Sequence, residues 1–408
     1  IHRLTLHRLR AEIQPVSIAD YLRFLMGWQH VSNEHKVEGI GGLEAVLELL
    51  DGCEAPAGAW EPSVLAARVK DYDPQWLDQL CFTGRAGWGR FSVPRNPAAG
   101  RFTPLRSSPI TLFLREHREA WLTLAGPPAS NGFSPDTTAV FEALAQGGAL
   151  FFGEIVERTR LLQSRVEQAL GELATQGWVT SDSFEGIRAL LTPPDKRTPF
   201  GDLNRRRHHR AVTSIALAGR WSLLRAPAPV QSAALPNSHA ESPSDGAPEA
   251  ALDHYARVLL RRFGVVFRRL LDREAFRVSW YDLSRIYRRL EARGEIRGGH
   301  FVQGVGGEQF ALPEAVGMLR SIRKAKPSGE LIILSAADPL NYSGILTPGP
   351  RIAAVSSNRI LFRDGVPLAA LEAGRIVNQN PEADQEDQRI EYSLKIGRLP
   401  PALRPYYA

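Results

Sequence analysis

The sequence predicts an α+β fold, and three observations predict it. A helix–turn–helix pattern trailed by two strand-like runs recurs three times along the chain. The third recurrence ends in an arginine-rich helix that stops at Gly294 and gives way to a glycine-punctuated hairpin. Beyond it the composition changes to short apolar runs separated by turns. Helix, turn, helix and two strands are the parts of a winged helix. The expectation is therefore tandem winged-helix domains followed by a small β-barrel-like domain.

Each element has a local reason. In the first unit, residues 1–130, "VSIADYLRFLMGWQHV" places Tyr21, Phe24, Leu25 and Trp28 at helical spacing behind Ser17, an N-cap residue. "GGLEAVLELLDG" is a second helix bounded by glycines, and "WEPSVLAARV" a third. In "DPQWLDQLCFTG", Asp73 caps, Pro74 suits the first helical position and Gly84 stops the helix. "RAGWGRF" and "PITLFLREH" then read as strands. The second unit, 131–195, sets Val166, Leu170 and Leu173 on one face of its last helix, ended by Gly177, with "WVTSD" and "GIRALL" as wing strands. Residues 196–250 read as a linker, basic at first and then rich in Pro, Ala and Ser. Its "GRWSLLRA" reads as a strand that docks on a domain.

The third unit, 251–327, turns Leu283, Ile286 and Leu290 to the core and leaves Arg285, Arg288, Arg289 and Arg293 largely on other faces. Gly294 is the left-handed residue that ends this helix. "EIRGGHFV" and "EQFAL" are wing strands, with "QGVGG" as the turn. The last unit, 328–408, carries a strong hairpin signal, Asp364-Gly365.

Lys and Arg number 50 against 44 Asp and Glu, a net charge of +6 with a pI of about 9.5. That excess permits nucleic-acid binding without requiring it, and the arginine bias suits phosphate. High-GC codon usage explains the same bias equally well. Cys53 and Cys81 each sit among apolar residues and read as buried free thiols of a cytoplasmic protein. Without a CxxC pair or an HExxH motif, no metal site is expected. No apolar run is long enough for a membrane span, and the opening, which lacks methionine, reads as part of something longer. No phosphate-binding GxxxxGK[ST] loop, GxSxG elbow or GxGxxG after a strand is present, so no cofactor is expected in this chain.

A winged helix inserts its last helix into the major groove and lays its wing beside it. The third unit has the chemistry for this: Arg285, Arg288, Arg289 and Arg293 on the helix, Arg297 and His300 on the wing, and Gly298 and Gly299 leaving room for backbone approach. A solvated or domain-packing face is the competing reading. In the second unit, Glu167 and Glu172 repel phosphate and point to a structural role. In the first, the wing residues Arg85, Arg90 and Trp88 are the candidates. Arg205, Arg206 and Arg207 in "RRRHHR" form a compact basic cluster. Asp338 follows an apolar strand in "SAADPLN" and is placed either to face a cleft, orienting water or stabilising a cationic transition state, or to cap a turn.

The stretches "IHRLTLHRLRAEIQPVS", "FLMGWQHV", "RFGVVFRRLLDRE", "YRRLEARGEIRGGHFVQGVGGEQFALPEA" and "AADPLNYSGILTPGPRI" resemble the C-terminal region of bacterial large helicase-related (Lhr) proteins. The similarity covers most of residues 1–377, and the stretch 289–315 is its most specific part. The resemblance implies a parent that is an ATP-dependent DNA helicase linked to DNA repair, with ATP and Mg bound in motor domains that this chain lacks. It further implies an extension of tandem winged helices and a β-barrel, similar to AlkZ-type winged-helix DNA glycosylases. Uracil-DNA glycosylase activity and homo-oligomerisation are associated with that extension. Expected partners are DNA, single-stranded or forked, and the motor of the same polypeptide. AlkZ-type enzymes use Gln-x-Gln or Gln-x-Asp, and such a spacing occurs here as Gln385-Glu386-Asp387. Asp338, in the shared "DPL", is the preferred catalytic carboxylate. The alternative is a non-catalytic assembly module of the helicase.

Overall fold

The computed structural model describes residues 14–92, 105–126, 132–192, 215–225, 249–380, 387–395 and 403. The basic cluster Arg205, Arg206 and Arg207 lies outside them, as do Gln385 and Glu386.

The first module runs from α1 (Ile18–Trp28) through β1 (Val37–Glu38), α2 (Gly39–Leu49), β2 (Glu54–Pro56), the helical turns Trp60–Leu65 and Ala66–Arg68, and β3 (Val69–Lys70). Then come α3 (Pro74–Phe82), β4 (Ala86–Gly89), β5 (Pro109–Leu114) and α4 (Arg118–Ala125). The second comprises α5 (Pro135–Gly147), β6 (Leu150–Phe151), α6 (Phe152–Thr159), α7 (Gln163–Thr175), β7 (Val179–Ser181), α8 (Glu185–Leu191) and β8 (Arg220–Leu223). The third comprises α9 (Glu249–Phe263), β9 (Val265–Val266), a short turn Arg268–Arg273, α10 (Trp280–Ala292), β10 (Arg297–Gly299), β11 (Gln309–Ala311) and α11 (Pro313–Lys324).

Each module folds three strands into a sheet with one order. The strand after the first helix and the strand after the recognition helix flank the last strand: β2-β5-β4, β6-β8-β7 and β9-β11-β10. This repeated topology is the winged-helix arrangement, and it follows from a helical pair that buries one apolar face and needs a sheet to close it.

The expected strand "GIRALL" is a correction: residues 185–191 form α8. Helical spacing brings Glu185 and Arg188 together at 2.8 Å and aims Arg188 at a buried acidic cluster, which a strand would not do. The strand's place is taken by β8, from "GRWSLLRA", which pairs with both β6 and β7. There the Trp221 ring meets Trp88 edge-on at 6.0 Å.

The last unit is a four-stranded antiparallel sheet in the order β12 (Leu331–Ser335), β13 (Arg359–Arg363), β14 (Val366–Glu372), β15 (Arg375–Asn378), with α12 (Asp387–Lys395) packed on it. Among the described residues these strands form an open sheet, and no closed barrel is seen. The chain does turn between β13 and β14 at Asp364 and Gly365, with φ of +49° and +80°. A Cβ at Gly365 would lie 2.1 Å from the Ala19 carbonyl oxygen of α1, so glycine is required twice over.

Two large cores divide the molecule differently from the sequence order. One joins α2, α3 and strands β2, β4 and β5 of the first module to the second module, while α4 packs through Trp121 into the other core. The other joins α1 to the third module and the sheet. Helix α1 is capped by Ser17 as expected, but its buried Tyr21, Phe24 and Leu25 face α9–α11. The Tyr21 hydroxyl donates to the Val265 carbonyl at 2.8 Å. Among the described residues no helix is long and apolar enough to cross a membrane. Cys53 and Cys81 are buried free thiols.

The modules are pinned by guanidinium groups that are themselves buried. Arg188 of α8 meets Glu61 at 2.8 Å and Asp78 at 2.6 Å, tying the second module to the first. Arg262 of α9 holds Glu274 at 2.7 Å and donates to the Asp51 carbonyl, tying the third to the first. Arg68 meets Asp338 of the last unit through two hydrogen bonds of 2.7 and 2.9 Å.

The Arg188 cluster carries three carboxylates on one guanidinium. Burial pushes the Glu185 carboxyl up to about 7 against the pull of Arg188, with Asp78 and Glu61 adding to the rise. The folded state thus holds this proton more tightly than the unfolded chain, so stability falls as pH rises from about 4.5 to about 7. Glu185→Gln keeps an acceptor for Arg188 and cannot ionise. Thermal unfolding should show the parent losing stability relative to the variant across that window and the variant the more stable at about pH 8.

Candidate nucleic-acid interface

Helix α10 starts at Ser279, whose hydroxyl accepts from the Asp282 N–H at 3.1 Å. Leu283, Ile286, Tyr287 and Leu290 are buried beneath it. The helix ends at Gly294, which takes φ of +79°. The opposite face is exposed and carries Tyr281, Arg285, Arg288, Arg289, Ala292 and Arg293 within one helical stripe. Tyr281 is 68% exposed, large for an aromatic ring. Sequence reasoning missed it, although it lies one turn before Arg285 on the same stripe.

The wing beside α10 is rigidly built. Arg297 and His300 are exposed on it. The Gly298 N–H donates to the Glu291 carboxylate of α10 at 3.0 Å. The buried Gln309 side chain accepts from the Phe301 and Val302 N–H groups, both at 2.8 Å, and donates to the Val302 carbonyl at 3.0 Å. The segment at Val16 extends the wing by a parallel bridge to Val302, donating to the Phe301 carbonyl and accepting from the Gln303 N–H. No sequence pattern pointed to this pairing of residues so far apart in the chain.

The electrostatics of the face are graded. Arg288 pairs with Glu308 at 2.6 Å, which raises its pKa. Arg289 pairs with Glu249, and Arg293 lies 3.6 Å from Glu295. Among the described residues Arg285 and Arg297 have no ion-pair partner. Exposed pairs of this kind are individually weak, so a phosphate can replace the carboxylate at little cost.

The other expected sites lie differently. Arg90 is half-buried: it donates to the Thr175 carbonyl at the end of α7 and the Ser92 carbonyl, and burial lowers its pKa. Trp88 is fully buried, its indole N–H donating to the Ser183 carbonyl at 2.9 Å. The first wing is thus packed against the second module, which corrects the expectation that Arg90 and Trp88 face DNA. Arg85 is exposed but bonded to Glu44. In the second module Glu172 accepts from the Thr137 hydroxyl at 2.6 Å, a bond that ties α7 to α5.

Asp338 does not face a cleft, which corrects the cleft-facing expectation. Its carboxylate is fully buried, both oxygens accept from Arg68, and one also accepts from the Leu340 N–H at 2.9 Å. It caps its turn and anchors the last unit. Of Asp387 the backbone is described, at the start of α12.

Two winged-helix domain families described for the large helicase-related protein, its third and fourth, match this chain at residues 16–112 and 245–331. The chain belongs to the large helicase-related (Lhr) family, in its C-terminal winged-helix region. An Lhr relative from Mycolicibacterium smegmatis, described as a helicase and probable uracil glycosylase, is 31% identical over 396 residues, covering 92% of this chain and 24% of its own length. One from Escherichia coli, described as a helicase and uracil glycosylase, is 29% identical over 381 residues, covering 85% of this chain and 23% of its own. This Lhr chain therefore spans about a quarter of the length of the curated relatives it matches.

Proposed function

We propose that this chain is the DNA-binding part of an Lhr-type DNA-repair helicase, and that the third winged helix is the part that touches DNA. The observation that carries the reading is the α10 stripe. It holds four exposed arginines and an exposed tyrosine on one face, beside a wing that adds Arg297 and His300. The first module differs: its wing strand β4 is buried, and the exposed positions of α3 carry Gln75, Gln79 and Phe82 in place of arginines. Arginines on the stripe suit phosphate, and Tyr281 offers a ring on which an unpaired base can stack, which favours single-stranded or forked DNA. The motor, with its ATP and Mg, belongs to the remainder of the parent polypeptide in this reading.

The double charge reversal Arg285→Glu/Arg297→Glu tests it. Among the described residues neither side chain has an ion-pair partner, so the fold should tolerate the change. Fluorescence anisotropy with single-stranded and forked DNA should show affinity falling by at least about tenfold. The slope of log affinity against log salt should shrink by about two. Unchanged affinity with an unchanged melting temperature would move the interface elsewhere.

Uracil excision is a second reading, favoured by the descriptions of both relatives. In it a flipped uracil enters a pocket of this chain and a carboxylate assists loss of the base. Asp338 is fully buried with both oxygens accepting from Arg68, so neither oxygen reaches solvent. If the chain forms abasic sites in a uracil-bearing strand, Asp338→Asn should retain cleavage in proportion to its folded fraction. Loss of cleavage with DNA binding and melting temperature intact would restore Asp338 as the catalytic carboxylate.

A further inference from the structure

Asp51, at the turn after α2, is fully buried and aims its carboxylate at two imidazoles from distant parts of the chain. Its Oδ1 is already fixed, accepting from the Leu114 N–H at 3.0 Å and the Trp121 indole N–H at 3.1 Å. Its Oδ2 lies 2.6 Å from His117 Nδ1, just before α4, and 3.7 Å from His254 Nε2 on α9. The two rings are tilted by 50° to each other with centroids 4.1 Å apart. Among the described residues the buried His254 Nε2 makes no hydrogen bond. The three donor atoms lie within 4.8 Å of one another.

We propose that Asp51, His117 and His254 form a binding site for a divalent transition-metal ion of the zinc class, which clamps the third winged helix onto the first module. Two imidazole nitrogens and one carboxylate oxygen are a donor set that zinc takes readily, at bond lengths of about 2.0–2.2 Å. An ion among these atoms needs only a small spreading of the His117–Asp51 contact. The proton shared there leaves to solvent as the ion takes its place, so His117 binds as neutral imidazole. The hydrogen bonds from Leu114 and Trp121 hold the carboxylate as an outer shell does in metal sites. His117 and His254 are each about one-fifth exposed, at 23% and 20%, so an ion has an entry path and water can fill a fourth position. Glu116, 3.8 Å from His117 Nε2, adds negative charge at the rim. The competing account is a purely structural histidine–aspartate contact. It accounts for the His117 contact at 2.6 Å but leaves His254 Nε2 aimed at the same oxygen from 3.7 Å, too far for a hydrogen bond.

The test uses the whole chain, freed of metal by chelator and titrated with zinc by calorimetry, with cobalt absorption as a second readout. The proposal expects one site per chain and a melting temperature that rises with zinc concentration. His254→Gln should lower the affinity at least about tenfold. The variant's metal-free melting temperature should differ from the parent's by much less than its zinc-bound one, because without metal His254 contributes only ring packing on Trp121 and His117 and a 3.7 Å approach to Asp51. His117→Gln should weaken binding similarly. Absence of stoichiometric binding, or binding that neither variant weakens, overturns the proposal.

Discussion

The arrangement of this molecule depends on guanidinium groups buried between its units. Arg68 is the decisive one. It leaves the helical turns of the first module with no exposed surface, crosses to the last unit and closes a two-bond contact with Asp338. A buried charge left alone costs several kcal/mol, so the pair commits the two units to one geometry even where it adds little net stability. Gln29 supports it, accepting from Arg68 and donating to the Arg262 carbonyl. Arg188 and Arg262 do the same work at the other two junctions.

This packing determines what is left for binding. The first wing is spent against the second module, through Trp88, Arg90 and the edge-on contact with Trp221. The third module is fixed on its α9 side to the first and on its α11 side to α1. Its α10 stripe and wing remain outside, stiffened by Gln309 and by the bridge at Val16. A reading surface on rigid elements holds its arginines ready, so less ordering cost falls on binding. The same junction that fixes α9 brings His254 to Asp51, so the candidate metal site exists only because the modules meet there.

Much of the local structure was legible, because it follows from short-range chemistry. Ser17, Asp73 and Ser279 cap helices where side-chain oxygen meets a free N–H, and Gly294 and Asp364-Gly365 adopt the positive φ that their turns need. The α10 stripe was legible for the same reason, since helical spacing alone separates Arg285 from Leu283. Residues 185–191 were not: their pattern suits a strand, and Arg188 becomes intelligible only once Glu61, from another module, is placed beside it. Asp338 was legible in part: the turn-capping alternative holds through the Leu340 N–H, but its buried partner was out of sight. A carboxylate after a strand looks cleft-facing until Arg68 arrives from 270 positions away. The Asp51, His117 and His254 set was invisible to a search for spaced ligand motifs, which finds donors close in sequence and not donors drawn from three elements.

A double-mutant cycle on Arg68 and Asp338 tests the central claim most directly. Arg68→Met and Asp338→Leu should each destabilise the chain by about 3–5 kcal/mol in chemical denaturation, since each strands the other charge in the interior. The double variant should lose far less than the sum. Single losses under about 1 kcal/mol, or strictly additive ones, would mean that the pair does not pin the units and that the arrangement rests on apolar packing alone.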